Sequence, residues 1–169
     1  MSLEFRTIDL GRDGDVCVRF RRDSYICSFD DVGRFDRENG PTGQAYLDWL
    51  AVRIAEFPAG FVHAWRGNEI IGQIEMRPRG APPVGYINLF YLIPALRGSG
   101  LGIVLHGYAV SVFTSLGLEK LQLSVSPANA RGVGFYRRNG WQDLGPRPGH
   151  ADVHLMELML KLNPRQTNL

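Results

Sequence analysis

The sequence predicts one α/β domain built on a mixed, mostly antiparallel central sheet of about seven strands, with helices on both faces. Three observations predict it. Residues 61–77 read as an antiparallel hairpin, residues 86–93 are almost continuously apolar as in a strand buried on both faces, and strands alternate with helices in the second half of the chain. We expect the domain to span residues 4–162 and residues 163–169 to form a flexible tail.

The elements of the first half follow from periodicity and turn chemistry. Residues 5–9 favour a short strand, and residues 13–28 and 44–57 carry apolar side chains at helical spacing. The intervening residues 29–43 are rich in Asp, Arg and Gly and contain Pro41, so we expect a surface loop there.

The second half predicts two helices and three further strands. Residues 100–116 form an apolar helical stripe that ends at Gly117, because glycine is the usual residue after a helix. Residues 121–125 alternate as a strand, and Asn129 is a good first cap for another helix. The last strands are predicted over residues 141–144 and 153–160.

Composition excludes several classes of protein. Apolar residues are 44% and charged residues 21% of the chain, which is typical of a globular domain. The 19 Lys and Arg residues are scattered among 17 acids, which disfavours nucleic-acid binding. No apolar stretch approaches the roughly 18 residues of a membrane span, and the charged N-terminus lacks a signal-peptide core, so we expect a cytoplasmic protein. Cys17 and Cys27 are expected to be buried thiols and not zinc ligands or a disulfide.

A glycine-rich turn between the apolar strand and the following helix predicts an anion site. Free backbone N–H groups and the positive end of the helix dipole meet there, and glycines at 98, 100 and 102 allow close approach of a phosphate. The turn has neither the Gly-Lys-Ser/Thr of a Walker loop nor the spacing of a dinucleotide fingerprint. A plain strand-to-helix turn is the alternative.

This turn resembles the acetyl-CoA loop of the GNAT superfamily of N-acetyltransferases, Arg/Gln-x-x-Gly-x-Gly/Ala. A second segment of the family follows in the expected order and is matched by Asn129, Gly132, Phe135, Tyr136, Gly140 and Trp141. The resemblance is strongest over residues 61–160. It implies transfer of the acetyl group of acetyl-CoA, without a metal, to a primary amine of a small molecule or peptide.

The resemblance also implies the site residues. The cofactor would contact the strand and the turn through Phe90, Tyr91, Leu92, Arg97, Gly98, Ser99, Gly100, Leu101 and Gly102, and would contact Asn129 on the later segment. Tyr136 holds the family's position for the acid that protonates the departing thiolate. Asn129 as a helix cap alone, and Tyr136 as a packing ring alone, remain alternatives.

The sequence offers several candidates for the general base. Many family members place a glutamate on the strand before the loop, whereas residues 86–88 contain no acid. Glu75 on the neighbouring strand is the candidate, with a solvated surface role as its alternative. The four histidines, His63, His106, His150 and His154, are further candidates. The missing strand glutamate also leaves open a CoA-binding sensor or interaction module without turnover.

The variable first half would select the acceptor. Residues 29–43 carry four acids and two phenylalanines that could receive a cationic amine, although Arg34 and Arg37 weaken that field and an ordinary charged loop is the alternative. Dimers are common among proteins with such folds, and by that analogy a homodimer is one alternative for the oligomeric state.

Overall fold

The computed structural model describes residues 2–161. The elements in chain order are β1 (Glu4–Thr7), α1 (Leu10–Phe29), α2 (Arg34–Asn39), α3 (Gln44–Glu56), β2 (Phe61–Arg66), β3 (Glu69–Arg79), β4 (Val84–Leu92), α4 (Gly102–Ser115), β5 (Lys120–Val125), α5 (Ala130–Arg138), β6 (Gln142–Arg147) and β7 (His150–Met159). The tail expected over residues 163–169 lies outside the described residues.

The strands form one seven-stranded mixed sheet in the order β1-β2-β3-β4-β5-β7-β6, which confirms the predicted fold class. The pairs β1–β2, β2–β3, β5–β7 and β6–β7 are antiparallel. Strands β4 and β5 are parallel, with Gly85 opposite Leu121 and Ile87 opposite Leu123. The helix between them, α4, is the crossover that a parallel pair requires.

The chain divides into two compact units. The first contains the described part of Met1–Glu75 together with Leu89–Leu105, and the second contains Met76–Asn88 and the described part of His106–Leu169. The core of the first unit joins α1, α2, α3 and β2 through seven buried side chains: Ile8, Cys17, Val18, Phe35, Tyr46, Leu50 and Phe61. That one domain spans residues 4–162 stays a prediction.

The second unit is packed closely around Gly85 at the start of β4. A Cβ atom on this glycine would lie 2.5 Å from Leu121 Cδ2 and 2.7 Å from the ring of Phe113. Phe113 of α4 and Leu121 of β5 are both fully buried. The absence of a side chain at position 85 therefore lets the helix approach the strand.

Helix α1 positions several of the polar side chains described below. Asp9 caps it by accepting a 3.0 Å hydrogen bond from the N–H group of Gly11, so the helix begins at Leu10, earlier than the predicted residue 13. It ends at Phe29, and the capping residue Asp30 adopts a left-handed backbone conformation with φ of 52°. In residues 2–161 no helix, α1 included, is long and apolar enough to cross a membrane.

Two predictions for the first unit are wrong. Residues 29–43 are not simply a loop, because Arg34–Asn39 forms the short helix α2 and the side chain of Phe35 is 1% exposed. The Phe35 ring packs edge-on against Tyr46 of α3, with the ring centroids 5.8 Å apart. Cys17 is buried as expected, whereas Cys27, near the end of α1, is exposed.

Candidate active site

The glycine-rich turn lies between a single 3₁₀ turn, Pro94–Leu96, and the first residue of α4, Gly102. Gly98 and Gly100 adopt left-handed backbone angles, with φ of 82° and 88°. A Cβ atom at either position would meet nothing within 4 Å, so both face open space. The left-handed angles explain why the sequence has glycine at these two positions.

Two of the six N–H groups of this turn, residues 97–102, are bonded to the chain. Those of Arg97 and Ser99 donate to the carbonyl groups of Pro94 and Leu96, at 3.2 and 3.3 Å. Within residues 2–161, no acceptor is bonded to the N–H groups of Gly98, Gly100, Leu101 and Gly102. Unbonded donors at the positive end of a helix are the features that hold phosphate in proteins.

The side chain of Arg97 is bonded to other residues of the first unit. Its Nε donates to the carbonyl group of Leu92 at 2.9 Å, its Nη1 approaches Cys27 Sγ at 3.2 Å, and its Nη2 pairs with Asp23. Tyr91 Oη donates to the same Asp23 carboxylate at 2.8 Å. The sequence did not identify Asp23. A contact between the Arg97 guanidinium and a phosphate stays a prediction, and the pairing with Asp23 gives this side chain a structural role.

The end of β4 presents the three residues expected to accompany the cofactor. Tyr91 is buried and stacks on Phe20 of α1 with ring centroids 4.4 Å apart, whereas Phe90 and Leu92 are half-buried. Burial, together with the bonded Asp23 carboxylate, raises the pKa of the Tyr91 hydroxyl. Tyr91 therefore serves the core, and a contact of this segment with the cofactor stays a prediction.

Glu75 lies in a buried polar cluster and not on the surface. Its side chain has no exposed area, and its Oε1 accepts hydrogen bonds from Tyr46 Oη at 2.5 Å and from Gln73 Nε2 at 2.8 Å. Arg21 Nη1 stands 3.5 Å from the other carboxylate oxygen. Burial and the neighbouring carboxylate raise the pKa of the Tyr46 hydroxyl, so Tyr46 stays protonated and its O–H group donates a hydrogen bond to Glu75.

The cluster continues through Gln73 to His63. His63 Nε2 lies 3.0 Å from Gln73 Oε1 and 3.5 Å from Cys17 Sγ, while His63 Nδ1 is 3.7 Å from Asp13 Oδ2. Desolvation lowers the pKa of His63 and raises that of the Cys17 thiol. Both are therefore uncharged at neutral pH, and Gln73 links them to Glu75. Strand alternation places residues 73 and 75 on one face of β3, but no sequence signal indicated that Tyr46 joins them.

In the second unit, Asn129 caps α5. Its Oδ1 accepts a 3.0 Å hydrogen bond from the N–H group of Gly132. A Cβ atom at Gly132 would come within 2.9 Å of the Asn129 amide nitrogen, so the small residue keeps the cap in place. The capping role is thus present, and a contact between Asn129 and the cofactor stays a prediction.

Tyr136 belongs to an aromatic group on α5 and the turn after it. Its ring centroid is 5.5 Å from that of Phe135 and 5.6 Å from that of Trp141. Desolvation raises the pKa of its hydroxyl, which therefore stays protonated at neutral pH. The ring is half-buried. A protonated hydroxyl at a partly open position can act as an acid.

The other histidines divide between buried and exposed positions. His106 is buried and its Nε2 accepts a 3.0 Å hydrogen bond from Trp141 Nε1, which makes it a neutral ring with the proton on Nδ1. His154 Nδ1 lies 3.0 Å from Asp143, and His150 is exposed.

The predicted site residues fall in both units. Glu75, Phe90 to Leu92 and the glycine-rich turn belong to the first unit, and Asn129 and Tyr136 belong to the second.

Comparison with solved structures identifies the class of fold. The PaiA N-acetyltransferase of Thermoplasma acidophilum, solved in complex with coenzyme A, superposes with a TM-score of 0.75 at 22% identity, over 94% of this chain and 99% of that one. Ard1 of Thermoplasma volcanium superposes with a TM-score of 0.72 at 17% identity, over 95% and 99% of the two chains. At these identities the likeness shows a shared fold.

The family follows from the sequence. Residues 22–141, more than half of the chain, match the model of the acetyltransferase (GNAT) family, and the protein belongs to that family. A mycothiol acetyltransferase of Geodermatophilus obscurus is 32% identical over 89 residues, which is 50% of this chain and 29% of that protein. The aligned region therefore spans less than a third of this curated relative.

Proposed function

We propose that this protein transfers the acetyl group of acetyl-CoA to a primary amine of a small molecule or peptide. The observation that carries the proposal is the open glycine-rich turn at the head of α4, in a chain of the acetyltransferase family. Its unbonded N–H groups suit the cofactor pyrophosphate. Phe90, Tyr91 and Leu92 would accompany the pantetheine arm like an added strand, with Asn129 in contact with it.

Strand addition would use the main chain at the end of β4, a strand that runs from Val84 to Leu92. An extended arm with amide groups is a suitable partner for the main chain of such a strand.

In the proposed reaction, the amine nitrogen forms a bond to the thioester carbon and the carbon–sulfur bond breaks. The nitrogen loses one proton and the departing thiolate gains one. Tyr136 would supply the proton to sulfur, and its desolvated hydroxyl is protonated over the working pH range.

Glu75 is the proposed base, and its burial requires it to act through a neighbour. The Tyr46 hydroxyl, which donates to Glu75 Oε1, could pass its proton to the carboxylate while accepting one from the amine or from water. The same burial would suit a purely structural cluster. A CoA-binding module without turnover is therefore the second candidate function, and the observation that favours it is the complete enclosure of Glu75.

We also propose where the protein acts and which part of the chain carries the activity. Cys17 and Cys27 are free thiols, as expected in a reducing compartment, and we place the protein in the cytoplasm. We further propose that residues 4–162 act as one acetyltransferase domain, as a monomer or homodimer, a point that size-exclusion chromatography with light scattering would resolve.

The test combines binding and turnover on one preparation. Calorimetry would measure CoA affinity, and mass spectrometry would detect acetylated product from acetyl-CoA and a panel of amines. Direct detection of product is preferable to a thiol dye, because exposed Cys27 would react with the dye. Amine-dependent product supports the enzyme. Tight CoA binding without product would support the non-catalytic module, and neither binding nor product would overturn both.

A further inference from the structure

Two guanidinium groups converge on the ring of Tyr86 in the second unit. Arg79 Cζ, from β3, lies 4.3 Å from the ring centroid, and Arg147 Cζ, from β6, lies 5.6 Å from it. Arg147 Nη1 also donates to Tyr86 Oη at 3.1 Å and to Ser124 Oγ at 3.2 Å. Tyr86 is 7% exposed, so this is a built arrangement in which two cations cover an aromatic ring.

Neither cation has a carboxylate partner. Within residues 2–161, no Asp or Glu side chain forms an ion pair with Arg79 or Arg147. Two carboxylates of the same unit pair with other side chains. Asp143 pairs with His154 and Arg137, and Glu157 pairs with Lys120 and Gln122. Arg79 and Arg147 are each half-buried and each contacts the Tyr86 ring, and a bound anion would supply the negative partner that both lack.

The hydroxyl groups beside Arg147 provide one more donor. Tyr86 Oη and Ser124 Oγ are 2.8 Å apart, and both accept from Arg147. One hydroxyl proton forms the bond between the two oxygens. The second hydroxyl proton has no acceptor within the described chain. Two guanidinium forks and a free O–H group are the donor set that carboxylate and phosphate oxygens prefer.

We propose that Arg79, Arg147, Tyr86 and Ser124 bind an oxyanion carried by the acceptor, so that the substrate is an amine bearing a carboxylate or a phosphate. This inference rests on the proposed acetyl transfer. It assigns acceptor selection to strands β3 to β6, whereas the sequence had suggested residues 29–43.

The first experiment compares matched acceptors that differ only in the anionic group. Glycylglycine is paired with glycylglycinamide, and O-phosphoethanolamine with ethanolamine, at constant ionic strength. We expect kcat/KM to favour at least one anionic member by about tenfold or more, and the pair that shows it identifies the anion. Arg147→Gln should lower kcat/KM for that member by about 10- to 100-fold, mainly through KM, and for its neutral partner by less than about threefold.

Control variants separate recognition from folding. Arg147→Lys keeps the charge without the fork and should recover part of the loss. Arg66→Gln removes a half-buried arginine that pairs with Glu69 in the first unit, and should leave the preference unchanged. Thermal unfolding of each variant would show whether it is folded. If Arg147→Gln does not fold, Tyr86→Phe, which removes one hydroxyl and keeps the ring, provides the same comparison.

A second measurement keeps this proposal distinct from the proposed function. NMR would measure the binding of inorganic phosphate and of succinate, and the affinity for these anions should fall at least about tenfold in Arg147→Gln. If this loss is found but no amine is acetylated by the wild type, the anion site stands and the acetyltransferase proposal fails. Equal turnover of anionic and neutral amines, or equal losses for both in the variant, overturns the anion proposal while acetyl transfer stands. A fall in CoA affinity in Arg147→Gln would also overturn it, since the cluster would then serve the cofactor.

Discussion

Tyr46 donates a 2.5 Å hydrogen bond to the carboxylate of Glu75, and both side chains are buried in the first unit. The two residues stand 29 positions apart in the chain, on α3 and β3. Gln73 Nε2 donates to both, at 2.9 Å to Tyr46 Oη and at 2.8 Å to Glu75 Oε1. The carboxylate therefore has a proton donor in contact with it, which a surface strand residue would lack.

The first prediction concerns Glu75→Gln, which keeps the shape and removes the basicity. If Glu75 is the base, turnover should fall about 100-fold or more at neutral pH and recover partly at higher pH, where free amine is more abundant. Stability should also fall by about 1–3 kcal/mol, because Arg21 and Tyr46 lose a charged partner. The measurements are a pH–rate profile and denaturant unfolding.

Two comparisons make this result decisive. Glu69→Gln, at an exposed position on the same strand, should change neither quantity appreciably. Tyr46→Phe should slow turnover if the Tyr46 hydroxyl relays the proton. A Glu75→Gln protein that is less stable but keeps the full rate across the pH range would make the cluster structural and leave the base to water or to a histidine.

The second prediction concerns Tyr136→Phe, which deletes one oxygen and leaves the ring against Phe135 and Trp141. Turnover should fall by about 10- to 10⁴-fold, while CoA affinity stays within about threefold. Because desolvation raises the pKa of Tyr136, the wild-type rate should show no loss from its deprotonation below the ordinary pKa of 10.0. Tyr108→Phe makes the same deletion on α4 and serves as the control. A collapse of affinity with normal turnover would make Tyr136 a binding residue.

The third prediction tests the glycine-rich turn with Gly100→Val. A side chain there would strain a left-handed backbone and stand where the proposed pyrophosphate lies, so CoA affinity should fall at least about tenfold, or roughly 1.4 kcal/mol. Gly117→Val is the matched control, since Gly117 follows α4 with φ of 71° and also faces open space. Gly117→Val should lower the free energy of unfolding by about as much as Gly100→Val does, and should leave the CoA affinity measured by calorimetry unchanged. Equal affinity in both variants would remove the turn from the cofactor site.

The sequence predicted those features that depend on local pattern. Gly117 ends α4 as expected, with Leu118 N–H bonded to the Phe113 carbonyl group at 3.2 Å, and Asn129 caps α5. Prediction from the sequence failed where an element or a site depends on contacts between residues of different elements. The helix Arg34–Asn39 is short and polar, and its position is fixed by the burial of Phe35 in the core of the first unit. The Glu75 cluster depends on a tyrosine from another element, which no spacing rule indicates.

The fourth prediction concerns packing in the second unit. Gly85→Ala would place a Cβ atom within 2.7 Å of Leu121 and Phe113, so the free energy of unfolding should fall by about 1–3 kcal/mol. Gly107→Ala, in α4, adds the same methyl group where nothing lies within 4 Å and should raise it by up to about 1 kcal/mol. Denaturant unfolding of the two variants should therefore give changes of opposite sign. Similar values would contradict the close approach at Gly85.

The last prediction concerns the hydrogen bond between Trp141 and His106. Burial lowers the pKa of His106 below its ordinary value of 6.5, because the folded protein favours the neutral ring. The unfolded chain therefore binds more protons than the folded chain as the pH falls through 6.5, and the contribution of His106 to stability is progressively lost below that pH. His63 acts in the same direction.

His106→Gln isolates this effect, since its amide oxygen can still accept from Trp141 but does not titrate. Denaturant unfolding from pH 7.5 to pH 5 should show a stability loss in the wild type that is smaller in His106→Gln. His150→Gln, at an exposed position on β7, should follow the wild type. Parallel curves for all three proteins would contradict the prediction, because they would mean that His106 binds protons equally in the folded and unfolded states.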